Sequence, residues 1–119
     1  MILTSGPTGA GDEVYVWADE RNGAVRFRGM SKQRATHADE PFGELVGISK
    51  ISAELARQLT LHAAEAEANA DYESAVVRAA GDNSIACLRV DDLLWGEIDD
   101  EAMLARVETM LWPKLKAIG

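Results

Sequence analysis

The feature that most constrains this chain is the stretch "EVYVWADERNGAVRFRGMSK", residues 13–32. Val14–Ala18 and Ala24–Phe27 are β-rich runs, and the Asn22-Gly23 pair between them favours the positive φ of a tight hairpin turn. In the second run Val25 and Phe27 alternate with Arg26 and Arg28, so one face is expected to be wet. In the first run Val14 and Val16 alternate with Tyr15 and Trp17, apolar on both sides. That pattern suits a strand covered on both faces rather than a peripheral one.

The rest of the chain reads as elements added around this hairpin. Residues 33–41, "QRATHADEP", are polar and aperiodic and are expected to form a surface loop. "GELVGIS" follows as a short, mostly buried strand. Ser52 is placed to cap a helix whose apolar stripe is Leu55, Leu59 and Ala63, with Glu54 complementing the dipole and the Ala/Glu tract beyond expected to fray. "DYESAVVRAAGDN" predicts a second helix, capped by Asp71 and ending near Gly81, with Tyr72, Ala75, Val76 and Ala79 on one face. "SIACLRV" predicts a strand, "DD" a turn and "LLWGEI" another strand. Asp99 or Asp100 then opens a last helix, with Leu104, Val107 and Leu111 as its stripe and Pro113 as its stop. The order β-β-loop-β-α-α-β-β-α defines a mixed α/β domain with about three helices. Residues 1–12 are expected to be a flexible lead to a single domain spanning 1–119.

Composition narrows the function. At 119 residues, 47% hydrophobic and 27% charged, the chain is one ordinary globular domain. A net charge of −8 opposes binding to the phosphate backbone of nucleic acids, though a bound divalent cation can invert the field locally. The only cysteine, Cys87, sits at an inward strand position, which excludes an intrachain disulfide and a cysteine-based zinc site. No signal-peptide pattern and no apolar run of membrane-spanning length are present, so a cytoplasmic protein is expected.

Most familiar chemistries lack their residues. "SGPTGAGD" has three glycines but no following Lys-Ser/Thr and is expected to lack a preceding strand, so it departs from the phosphate-loop pattern and reads first as a flexible lead. His37 and His62 belong to no metal-binding pattern, and Cys87 has no basic neighbour in sequence to activate it. What remains is "LLWGEIDDEAML", with Glu97, Asp99, Asp100 and Glu101 crowded after an apolar run. A strand ending in Glu-x-Asp would project both carboxylates to one side, as hard oxygen ligands of the kind magnesium takes. The same residues also read as a helix cap followed by a first-turn charge.

Four segments in order, "VYVWADERNGAVRFRGMSK", "GELVGISKIS", "DYESAVVRAA" and "LLWGEIDDEAMLARVETMLWP", resemble the second half of a sugar-phosphate-type nucleotidyltransferase. The similarity is to the branch that joins CTP to phosphocholine, 2-aminoethylphosphonate and related small acceptors, and it covers roughly residues 14–113. It implies a fragment of a nucleotidyltransferase (GT-A/Rossmann-like) fold with a mixed sheet. In such a fold an acceptor oxygen attacks the α-phosphorus of CTP on magnesium, with loss of pyrophosphate.

By resemblance, Asp99 matches a metal-binding aspartate with Glu97 in support. Glu44 and Lys32 fall at the acceptor pocket, and Trp95 lies at the pocket edge, where its ring could face a cationic head group. Trp95 also reads simply as a core aromatic. The glycine-rich nucleotide loop and the first metal aspartate of the family have no counterpart in this sequence. The expectation is therefore an acceptor-side portion that is inactive alone, working with a companion chain or as a homodimer. The alternative is a non-catalytic homo-oligomeric interaction or regulatory module descended from that fold.

Overall fold

In the hairpin, the turn residues Asn22 and Gly23 adopt φ of 53° and 74°, the left-handed conformation that the Asn-Gly pair supplies cheaply. The computed structural model describes residues 1–65 and 71–119. Its strands are β1 (Ile2–Ser5), β2 (Tyr15–Arg21), β3 (Ala24–Ser31), β4 (Gly43–Ser49) and β5 (Cys87–Val90). They form one mixed sheet in the order β3-β2-β4-β1-β5, in which only the β1–β5 pair is parallel. The helices are α1 (Ala53–Glu65), α2 (Tyr72–Ala80) and a C-terminal run made of α3 (Glu101–Arg106), a π-helical stretch (Val107–Leu111) and α4 (Trp112–Ile118). Together they make an α/β domain with a mixed five-stranded sheet.

β2 is an inner strand, as its two apolar faces require. Val16 and Trp17 point to opposite sides and both are fully buried. On one side Val16 joins Ile2, Phe27 and Cys87 beneath Leu55 of α1 and Val76 and Ala79 of α2. On the other, Trp17 is covered by the polar loop 33–41. Its indole N–H donates to the Asp39 carbonyl at 3.1 Å, and the His37 ring stands 4.7 Å from the indole. Arg28 clasps the Asp39 carboxylate, holding it below the usual Asp range and fixing the cover in place. That loop does lie at the surface, and it also covers the second face of β2 at Trp17.

The caps form where the residues place them. The Ser52 hydroxyl accepts the Leu55 N–H at 3.1 Å, and the Asp71 carboxylate accepts the Ser74 N–H at 2.8 Å. Leu55 is buried and Leu59 half-buried, but Ala63 is exposed, so the α1 stripe is shorter than its spacing suggests. The Ala/Glu tract expected to fray falls largely outside the described residues. In α2 Val76 and Ala79 point inward while Tyr72 stays at the surface. β4 spans the expected residues, but it is buried only at Gly43 and Glu44, and its far half is at the surface.

Four expectations are corrected. Residues 2–5, within the lead expected to be flexible, form β1, an inner strand hydrogen-bonded to β4 on one side and β5 on the other. "LLWGEI" is irregular rather than a strand: it is bordered by α3 and the π-helical stretch, which pack against Gly96, instead of by a partner strand. Pro113 does not stop the last helix. A proline lacks the N–H and crowds the carbonyl four residues back. The π turns just before it take up the extra residue, leaving Pro113 at the start of a fresh helical run. The change of register also alters the apolar stripe, since Leu104 is 42% exposed while Met103 and Arg106 are half-buried beside Val107 and Leu111.

The sheet curls enough that its two edges meet at one end. The Phe27 N–H donates to the Ile85 carbonyl at 2.7 Å, and Arg26 bridges Ala86 just before β5. Among the described residues no helix is long and apolar enough to cross a membrane.

Candidate functional site

Opposite the curled end, the chain leaves an open cleft of about 450 Å³. Its floor is the start of β4. Glu44, only 7% exposed, is held there because β4 is sandwiched between β1 and β2. One wall is the end of β3, which carries Lys32, together with the first turn of α2, which brings Tyr72 and Glu73. The other wall is the irregular segment 93–99 and the inward face of α3, which bring Trp95, Glu97, Asp99, Met103 and Arg106.

All five residues singled out in the sequence, Lys32, Glu44, Trp95, Glu97 and Asp99, line this one cleft. They do not reach it as expected. The Glu-x-Asp pair is not at a strand end. It is set by Gly96, where a Cβ would come within 2.6 Å of the Leu111 side chain, so only glycine lets the segment lie this close to the C-terminal helix. The helix cap is Asp100, whose carboxylate accepts the Met103 N–H at 2.8 Å. Asp99 is thereby left to face the cleft, and the choice of capping residue that the sequence leaves open is decided. Trp95 is half-buried, and its indole nitrogen is shut off from solvent with no hydrogen-bond partner among the described residues.

Glu44 is engaged rather than free. Its Oε2 accepts the Thr8 N–H at 2.8 Å. Lys32 Nζ lies 2.9 Å from Asp12 Oδ1, and that hydrogen bond, reinforced by the charges of Asp12, Glu73 and Glu97, raises its pKa. Arg106 donates to the Thr8 carbonyl at 3.0 Å. Residues 6–13 therefore run across the cleft mouth and are tied to three of its sides. The Glu13 carboxylate accepts the Gly11 N–H and titrates below the usual Glu range for that reason.

No family model matches the chain. What the cleft can do is set by its own groups. Its charged lining is six carboxylates (Asp12, Glu13, Glu44, Glu73, Glu97, Asp99) and two cations, Lys32 and Arg106. Such a site attracts cations, and it holds an anion only where a metal ion or the two basic side chains offset the carboxylates. Among the described residues no group of three or more His, Cys, Asp or Glu side chains is arranged to hold a metal ion. One or two cleft carboxylates suit a cation such as magnesium, which keeps several waters and takes its other oxygens from a bound phosphate.

Arg106, Tyr72, Glu73 and the segment over the mouth escape the sequence reading. For Arg106 a signal exists in hindsight: it lies three residues after Met103 and beside Val107, so it shares their inward helix face. The histidines and cysteine stay out of the cleft lining. Burial pushes the Cys87 thiol up to about 11, so it is inert at neutral pH.

Proposed function

We propose that this chain is the acceptor-side portion of a magnesium-dependent nucleotidyltransferase, binding a small phosphorylated alcohol or phosphonate for cytidylyl transfer. One observation carries the reading: Lys32, Glu44, Trp95, Glu97 and Asp99, drawn from three distant stretches of sequence, line a single cleft. The chemistry asks little of a protein nucleophile; it needs charge neutralisation and in-line positioning. Asp99 and Glu97 would hold magnesium, which neutralises transferring phosphate. Lys32 would meet the acceptor's anionic group, and Glu44, fixed in the floor, would orient its other end. Trp95 offers an aromatic wall to a cationic head group.

Nucleotide binding is assigned to a portion outside residues 1–119, because these carry no glycine-rich loop with arginine and lysine. The isolated chain is therefore expected to bind phosphocholine or 2-aminoethylphosphonate in the presence of magnesium, and to release no pyrophosphate from CTP. Calorimetry with each acceptor, and a pyrophosphate assay beside it, test both parts. Absence of binding to either acceptor would count against the assignment.

A second reading, a homo-oligomeric interaction module, is favoured by the C-terminal helix. Trp112 is 56% and Ile118 76% exposed there, and Leu88 is exposed on the edge strand β5. Exposed apolar groups of this kind suit burial against another chain. Light scattering at micromolar concentration tests the second reading: the module requires a second copy, so a clean monomer would remove it, whereas the acceptor-side portion is compatible with either state.

A further inference from the structure

The segment Gly6–Glu13 is the part of the cleft that the proposed function leaves unexplained. It lies over the mouth like a strap, and its ties are selective. Both cations of the cleft lining are used by it: Lys32 Nζ meets Asp12 Oδ1 at 2.9 Å, and Arg106 Nη2 donates to the Thr8 carbonyl at 3.0 Å. A ligand bearing a phosphate or phosphonate needs those same two groups, since every other charged side chain of the lining is a carboxylate. The dianion and the strap therefore compete.

We propose that Arg106 and Lys32 are the anion clamp of the cleft, and that the strap occupies both until a phosphate- or phosphonate-bearing ligand displaces it. The inference rests on the cleft being a phosphorylated-ligand site, and adds to it the residue that completes the clamp and the element that gates it. The exchange is favourable in chemistry. Lys32 and Asp12 are 62% and 45% exposed, and ion pairs at that exposure are weak. A doubly charged phosphate is a better acceptor for lysine and arginine than a lone carboxylate or a peptide carbonyl. Little packing holds the strap at its glycines. Gly9 and Gly11 hold φ of 63° and 95°, and no heavy atom stands within 4 Å of where their Cβ atoms would be. In the third tie the roles are reversed: the strap's Thr8 N–H donates and Glu44 accepts, so an anion that takes Lys32 and Arg106 does not take the cleft-side partner of this bond.

The test is a titration of the folded chain with inorganic phosphate in the presence of magnesium, followed by NMR at the Trp95 indole and at the strap amides. Asp12→Asn releases Lys32 and should tighten phosphate binding about two- to fivefold, the scale of an exposed ion pair. Glu73→Gln removes the same charge from the cleft wall without touching the Lys32 bond, and should tighten it less. Arg106→Gln should weaken binding several-fold, with Arg106→Lys recovering part of the loss and showing that the helix still folds. Saturating phosphate should speed hydrogen exchange at Gly9–Gly11. If phosphate binds yet the strap amides stay unchanged, or Asp12→Asn matches Glu73→Gln, the strap has no gating role, while the cleft keeps its proposed function. If neither the native chain nor Asp12→Asn binds phosphate, the clamp and the proposed function fall together.

Discussion

Two regions of this molecule were built by opposite means. The hairpin β2–β3 is specified by its own residues: an Asn-Gly turn with positive φ, alternating side chains, and a strand whose two apolar faces put it inside the sheet. The segment from Leu93 to Ile118 contradicts its own local signals. Its apolar run is not a strand, its proline does not end a helix, and its Glu-x-Asp pair is placed by one glycine packed on Leu111. The first region supplies a frame strand covered on both faces; the second supplies one wall of the cleft, with Trp95, Glu97, Asp99 and Arg106. The difference teaches that in this chain the hairpin's conformation is encoded locally, while the cleft depends on contacts made at long range.

The largest test of that contrast is Trp17→Ala. Trp17 is fully buried and hydrogen-bonded to Asp39, so its loss should cost about 3–5 kcal/mol in urea unfolding. A cost below ~1 kcal/mol would break the claim that β2 is covered on both faces.

Gly96→Ala probes the other region. Its Cβ would meet Leu111 Cδ1 at 2.6 Å and Val107 Cγ2 at 3.1 Å, so overpacking should cost about 1–3 kcal/mol. The hairpin should remain intact by NMR while phosphocholine affinity falls, because segment 93–99 is pushed off the helix that carries Arg106. Unchanged affinity would mean that the cleft does not depend on this contact.

The smallest effects separate two neighbouring aspartates. Asp100→Ala removes the cap on Met103 and should cost ~1 kcal/mol. Asp99→Ala should change stability without magnesium by less than ~0.5 kcal/mol, and should abolish any stabilisation that magnesium brings. Reversed effects would hand the capping role to Asp99 and remove it from the site.

Legibility follows the same division. The hairpin, β4 and the caps at Ser52 and Asp71 could be read because each is set by residues within a few positions. β1 could not. "ILTS" is too short to show a period, and it becomes a strand only because β4 and β5, about forty and more than eighty residues away, pair with it. "LLWGEI" has strand composition, but a short apolar run does not say whether a partner strand or a helix will cover it. The five candidate residues were legible one by one, Glu97 and Asp99 by their spacing and the others by the resemblance the sequence reading proposed. Their convergence was not, and neither were Arg106 and the strap, whose roles exist only once β3, β4 and α3 surround the same space.

The central claim is that these separate stretches form one ligand site. The most direct measurement is amide and indole chemical-shift mapping with phosphocholine and magnesium. The account predicts shifts concentrated at Thr8, Lys32, Glu44, the Trp95 indole, Asp99 and Arg106, with the Asn22-Gly23 turn unmoved. Shifts that scatter over the surface, or that gather at Trp112 and Ile118 instead, would contradict it.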